Sequence, residues 1–194
     1  MKWVTSLVVV VGMGVCTPAL SGHNLQVGVV AESGDPAFTL QSFDGPVTLE
    51  QFQGKFLLMF FGFTSCPDIC PVTLARLSKS FSRLSEGELA QVAGLFVSLD
   101  PGHDTPEILM KYTSYFHENI IGATASPEVL DQLVRRVGVT YQREKSPDAP
   151  RGYVISHTAD LLIVDRNGQL LDRRIPSTAS STEISEIIQG LLNT

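Results

Sequence analysis

Residues 56–77 read FLLMFFGFTSCPDICPVTLARL. Residues 56–63 are apolar or glycine without a polar interruption, between Gly54-Lys55 and Thr64-Ser65, the composition of a strand covered on both faces of a parallel sheet. Leu74, Leu77, Phe81 and Leu84 then recur at helical steps, which predicts a helix over about 67–84 that lays one apolar stripe on that sheet. Cys66 and Cys70 fall where strand gives way to helix. Unpaired N–H groups and the helix dipole stabilise thiolate at such a place, so both cysteines read as reactive. If both lie on the first helical turns, their Cβ atoms stack about 5–6 Å apart on one face, which suits two thiolates converging on one soft metal ion. The pair can also close a disulfide if the turn deforms, since bridged Cβ atoms stand about 3.5–4.5 Å apart. Asp68 between them, and the flanking Pro67 and Pro71, argue against two inert core cysteines.

The chain around this stretch has 194 residues, 43 % hydrophobic, with 20 acidic against 14 basic side chains and a formal charge of -6. It reads as one moderately acidic globular domain. No basic field offers itself to nucleic acid: Arg135-Arg136 and Arg173-Arg174 read as solvated ends of a helix and a strand. Residues 1–21 read as a signal peptide or a short membrane anchor, with Lys2, an apolar core at 4–15 and small residues at Ala19 and Ser21 for cleavage. That core is shorter than the roughly 20 residues that span a bilayer, which favours cleavage. Val15 is a poor neighbour for lipidation at Cys16. Residues 22–35 read as a flexible lead-in carrying a surface His23, and residues 36–194 as the folded domain. Cleavage leaves two of the three cysteines. A bridge across so short a loop adds little to folding, so Cys66 and Cys70 read as working thiols in an oxidising compartment, where something must keep them reduced.

Residues 38–40 and 47–49 flank Asp44-Gly45 and predict an N-terminal hairpin. Residues 95–99 form a strand that runs into DPGHDTP at 100–106, where Thr105 caps a helix, Pro106 opens it, and Ile108, Tyr112, Tyr115 and Phe116 face inward. A brief strand at 120–121 precedes a second Ser-Pro cap at Ser126, followed by the buried stripe Leu130, Leu133, Val134 and Val137. Residues 139–141 read as a short strand and 144–151 as a polar surface loop. Extended residues 153–156 bring His157 to the mouth of a strand at 161–164, which turns at Asn167-Gly168 into 169–175. The last helix starts near Ser180, with Glu183 completing a capping box and Ile184, Ile187, Ile188 and Leu191 buried. Helical crossovers imply parallel pairing and the Asn-Gly turn an antiparallel edge. The fold class is therefore α/β, a thioredoxin-like sandwich with a mixed β-sheet flanked by helices and an N-terminal hairpin extension.

The carboxyl ends of such strands gather Cys66, Asp100 and His157. Two sulfurs and an imidazole form a soft, low-coordination set that favours Cu(I), and no cluster matches oxygen-seeking ions. Asp100 and Asp104 read either as an outer acidic shell or as carboxylates that hold their turn through backbone N–H bonds. His103 reads as an exposed loop histidine in preference to an accessory ligand, Asp68 as a helix cap, and His117 as surface. Nothing in the surface pattern demands more than a monomer.

FGFTSCPDICPVTL at 61–74, SLDPGHDTPEIL at 98–109 and SHTADLLIVDRNGQL at 156–170, in that order, resemble the Sco/SenC family of thioredoxin-like copper chaperones that serve cytochrome c oxidase assembly. The similarity runs over about residues 38–191. The resemblance implies one copper site, Cu(I) or Cu(II), with Cys66, Cys70 and His157 as metal ligands. It also implies delivery to the binuclear copper centre of cytochrome c oxidase subunit II, by a periplasmic domain freed by signal cleavage or held at the membrane. A thioredoxin-like reductant is a second candidate partner. The alternative is a thiol-disulfide oxidoreductase acting on that subunit's cysteines or in oxidative stress defence. Against it, catalytic dithiols usually have two residues between them, and His157 has no necessary role in exchange. The family's loop aspartates match Asp100 and Asp104. The family commonly has Arg where His103 stands, a departure that bears on loop electrostatics and partner docking.

Overall fold

The computed structural model describes residues 37–149 and 151–193; the signal segment, the lead-in, Cys16 and His23 lie outside the described residues. In chain order, a hairpin of β1 (Thr39–Ser42) and β2 (Gly45–Thr48) and a 3-10 turn (Leu49–Phe52) lead into β3 (Phe56–Gly62), α1 (Ile69–Phe81) and the single turn α2 (Glu86–Leu89). Then come β4 (Val92–Ser98), α3 (Pro106–Ser114), β5 (Ile120–Ala123) and α4 (Pro127–Arg136). The chain finishes with β6 (Tyr141–Lys145), β7 (Tyr153–His157), β8 (Leu161–Val164), β9 (Leu170–Ile175) and α5 (Ser181–Leu192). The main sheet has the order β5-β4-β3-β8-β9. β3, β4 and β5 run parallel, and β8 runs antiparallel to both β3 and β9. This is a thioredoxin-like α/β sandwich with an N-terminal hairpin, which a two-way backbone bridge between Gln41 and Thr124 ties to the end of β5.

Period-two alternation along β3 explains its unbroken apolar run. Leu57, Met59 and Phe61 pack with Leu95 and Val97 under α4 and the hairpin, contacting Leu133 and Leu40. Leu58 and Phe60 pack on the opposite face with Phe96, under Leu74 and Leu77 of α1 and Ile184 and Ile188 of α5. Each such side chain contributes roughly 1.5–3 kcal/mol by leaving water. Three helices start as their caps dictate: Thr105, Ser126 and Ser180 accept N–H bonds from the third helical residue, and Pro106 and Pro127 occupy the first turn.

Three expectations need correction. α1 is shorter than 67–84 at both ends. α3 turns Leu109, Tyr112 and Thr113 inward and Phe116 follows on the same stripe, so Tyr112 and Phe116 are as expected, whereas Tyr115 is 85 % exposed and Ile108 40 %, both off that stripe. The strand expected at 139–141 is instead Tyr141–Lys145, paired antiparallel with β7 in a separate two-stranded ribbon, so the surface loop is shorter than 144–151. Every β6 residue after Tyr141 is exposed, so the strand has no apolar alternation to reveal it. Among the described residues, no helix is long and apolar enough to cross a membrane.

Candidate metal centre

Gly62 ends β3, and its carbonyl accepts the Leu99 N–H at 2.7 Å. A Cβ at Gly62 would stand 2.7 Å from Cys70 Sγ and 2.9 Å from the Phe96 ring. The absent side chain is what lets the first turn of α1 lie against the strand end. Cys70 sits in that turn, fully buried. Cys66 does not share the helix. It lies in the preceding turn, closed by its N–H to the Phe63 carbonyl at 3.2 Å. A residue before proline is disfavoured in helical conformation, and Pro67 follows it. Asp68 occupies the N-cap position, but its side chain makes no capping bond.

His157 ends β7 opposite Tyr141. Its ring stands edge-on to Phe60 and Phe63, with centroids 6.2 Å away in both cases. Nδ1 lies 3.0 Å from the Thr158 carbonyl. A carbonyl only accepts, so Nδ1 carries a proton and donates it there. Nε2 lies 3.7 Å from Cys70 Sγ.

Both cysteines are free thiols, and their environments drive them apart. Cys66 is lowered to about 4, first by its hydrogen bond with the Cys70 thiol, against burial, and then by His157 and nearby backbone. Cys70 is pushed up strongly, by that same bond with Cys66, by burial and by the like charge Cys66 carries. The half-exposed sulfur is therefore the thiolate, and the buried one keeps its proton.

The two aspartates are elsewhere engaged. Asp104, fully buried, accepts the Thr64 N–H at 2.9 Å, the Thr64 hydroxyl at 2.6 Å and the Ser98 hydroxyl. Asp100, also fully buried, accepts from Arg143 at 2.6 Å, Tyr153 at 2.7 Å and Arg151 at 3.1 Å. Burial works to raise the Asp100 carboxyl, but hydrogen bonds from Tyr153 and His103 and the Arg143 charge hold it below the usual carboxylate range. Neither carboxylate holds its turn through that turn's backbone N–H groups: the one backbone N–H accepted is Thr64's, and the other donors are side chains, mostly from outside the turn. His103 is exposed, with Nδ1 2.8 Å from the Tyr153 hydroxyl and 3.4 Å from Asp100, and belongs to this array. His117 is partly buried, not surface: its Nδ1 accepts the Asn119 N–H at 3.0 Å and its ring meets Phe81 edge-on. Arg143, Arg151 and Tyr153 were invisible to sequence reasoning. They lie 43 to 53 residues from the carboxylate they serve, in a stretch with no periodicity.

By chemistry, two sulfurs and an imidazole nitrogen suit a soft monovalent ion. As they stand, among the described residues no group of three or more His, Cys, Asp or Glu is placed so that it could hold a metal ion.

The SCO1/SenC family profile matches residues 30–193. The chain belongs to the SCO1/SenC family. This SCO1/SenC chain is 34 % identical over 171 residues to the mitochondrial SCO2 protein of Saccharomyces cerevisiae, a match covering 86 % of the chain and 56 % of the yeast protein. It therefore spans little more than half that relative's length. Among solved structures, it superposes on apo Sco1 of Thermus thermophilus with a TM-score of 0.73 at 34 % identity, covering 84 % of this chain and 95 % of that one. Arabidopsis thaliana ScoI with copper bound superposes with a TM-score of 0.75 at 26 % identity, covering 84 % of this SCO1/SenC chain and 100 % of the other.

Proposed function

We propose that this SCO1/SenC protein is a copper chaperone that takes one copper ion at Cys66, Cys70 and His157 and passes it to the binuclear copper centre of cytochrome c oxidase subunit II. The observation that supports the reading is Cys70 Sγ 3.7 Å from His157 Nε2, with the Cys66 sulfur hydrogen-bonded to both side chains. The copper bound by the Arabidopsis relative supports the choice of metal. Copper is cargo here. Two sulfurs suit Cu(I), and the imidazole gains weight when the ion is Cu(II). Binding as a dithiolate displaces the proton that Cys70 holds. Cys66, half-exposed on a turn outside the helix, is the donor that an acceptor's ligand can replace first, while Cys70 and His157 stay embedded. The test is competition with a Cu(I) chelator. The wild-type protein is expected to retain one Cu(I), and Cys66→Ala and Cys70→Ala to lose tight binding while circular dichroism shows them folded. Tight one-to-one binding in either variant sinks the dithiolate site.

The thiol asymmetry favours a second reading, a thiol-disulfide oxidoreductase acting on the oxidase subunit's cysteines or in oxidative stress defence. The Cys66 thiolate would attack a substrate disulfide and release one thiolate. Cys70 would then lose its proton, with His157 Nε2 as the nearby acceptor, and close the Cys66–Cys70 bridge, releasing the second substrate thiol. A thioredoxin-like reductant would restore the pair. Rapid metal-free turnover of a protein disulfide would favour this reading.

Either role suits the periplasm, reached by cleavage of residues 1–21 or kept at the membrane by the same segment uncleaved. Residues 22–35 then lead into a monomeric domain of 36–194. N-terminal sequencing of the periplasmic protein tests the cleavage, and sedimentation tests the monomer.

A further inference from the structure

Cys66 and His157 belong to two pieces of chain that share no backbone pairing. One is the turn after β3. The other is the β6–β7 ribbon, which pairs only within itself and stands outside the five-stranded sheet. Ile155 is its one buried residue. Where the ribbon's tip faces the Cys66 turn, a cleft of about 290 Å³ opens between Phe63, Ser65 and Pro67 on one side and Ala149, Tyr153 and Val154 on the other. Side-chain packing between the two pieces is therefore interrupted at the ribbon's tip, while His157 meets Phe63 edge-on at the other end.

Both are instead fastened to one turn, residues 100–104, at the end of β4. Asp104 grips the first piece through the N–H and hydroxyl of Thr64. Asp100 grips the second at three places: Arg143 on β6, Tyr153 on β7 and Arg151 in the connecting loop. Arg151 also comes within 3.7 Å of Asp104, so one guanidinium spans both grips. The Ser98 hydroxyl braces the turn from behind, donating to Asp104 and accepting the Asp100 N–H. Such charge-assisted bonds to buried carboxylates are directional, and removing a donor leaves a buried carboxylate short of a partner.

We propose that Asp100 and Asp104 are positioning residues of the candidate centre: their turn is the common mount that fixes the Cys66 turn and the His157 ribbon relative to each other, beside Cys70. The metal consequence rests on the copper reading. The mount itself is a property of the metal-free protein, which keeps the two separable in experiment.

The test compares Asp100→Asn, Asp104→Asn and Arg151→Ala in the metal-free protein and with Cu(I) alone as probe. Arg151 is partly exposed while both aspartates are buried, so its variant keeps the test open if a buried substitution fails to fold. In the metal-free protein, the Thr64 amide is expected to exchange at least about tenfold faster in Asp104→Asn, because its acceptor is weakened. The His157 ring nitrogen resonances, which report the Cys70 and Thr158 contacts, are expected to move in Asp100→Asn and Arg151→Ala. Cu(I) dissociation constants are expected to rise about 10–100-fold, as for outer partners of metal ligands generally, although all three ligands remain. Unmoved metal-free signals in folded variants overturn the mount, whether or not copper binds. Moved signals with unchanged Cu(I) affinity overturn its role in the centre. A wild-type protein that retains no Cu(I) overturns the copper reading, and the metal-free signals then decide the mount by themselves.

Discussion

Gly62 has no side chain, and the seat of Cys70 depends on that. With Cys70 Sγ and the Phe96 ring both inside contact distance of an added Cβ, Gly62→Ala must displace the sulfur, the ring or the strand end. The expected result is a loss of about 1–3 kcal/mol in urea unfolding, together with weakened Cu(I) binding. Unchanged stability and affinity would show that the close approach carries no weight. In the proposed site, the His157 imidazole would complete a set whose sulfurs already suit Cu(I). His157→Ala should therefore keep weakened Cu(I) binding and lose most Cu(II) binding, read from the Cu(II) spectrum. An unaltered spectrum removes the histidine from the ligand set. The two cysteines were legible in sequence because their place between strand and helix carries its own chemistry. Arg143, Arg151 and Tyr153 were not, because a polar residue's partner across 43 to 53 positions leaves no local trace.

Helix starts were readable because a cap is local chemistry. Ser180 and Glu183 form the expected reciprocal box: Glu183 Oε2 accepts the Ser180 N–H at 2.7 Å, and Ser180 Oγ accepts the Glu183 N–H at 3.2 Å. Ser180→Ala is expected to cost about 1 kcal/mol of stability and leave copper affinity untouched, because this cap lies outside the centre and its mount. A fall in affinity without a fall in stability would contradict that separation. β3, β4, α4 and α5 were legible through burial, which imposes period two or 3.6. Two elements were placed only in part. In α3, Tyr112 and Phe116 pack inward as expected, but the stripe runs through Leu109 and Thr113 and leaves Ile108 and Tyr115 outside. β6, expected at 139–141, lies at Tyr141–Lys145, because a strand exposed after Tyr141 has no face to pattern; backbone pairing with β7 makes it a strand.

At the scale of the molecule, acid should unfasten the fold through Asp100. Its carboxyl is held below its ordinary value by hydrogen bonds and the Arg143 charge acting against burial. The ionised form is therefore favoured by folding. Its contribution is present above the unfolded carboxylate pKa and is lost as pH falls through the folded one. Urea midpoints measured from neutral to acid pH should fall for the wild type and fall less steeply for Asp100→Asn, which starts lower. Parallel slopes would place the acid sensitivity elsewhere.

Redox state should gate copper in the proposed site, because its ligands would be thiolates and a disulfide offers none. The most direct measurement is a Cu(I) competition titration of one preparation, half reduced and half oxidised to the Cys66–Cys70 disulfide. The expected result is one Cu(I) retained per reduced chain, none per oxidised chain, and full recovery on re-reduction; equal retention by the two forms would contradict a copper site built on Cys66 and Cys70.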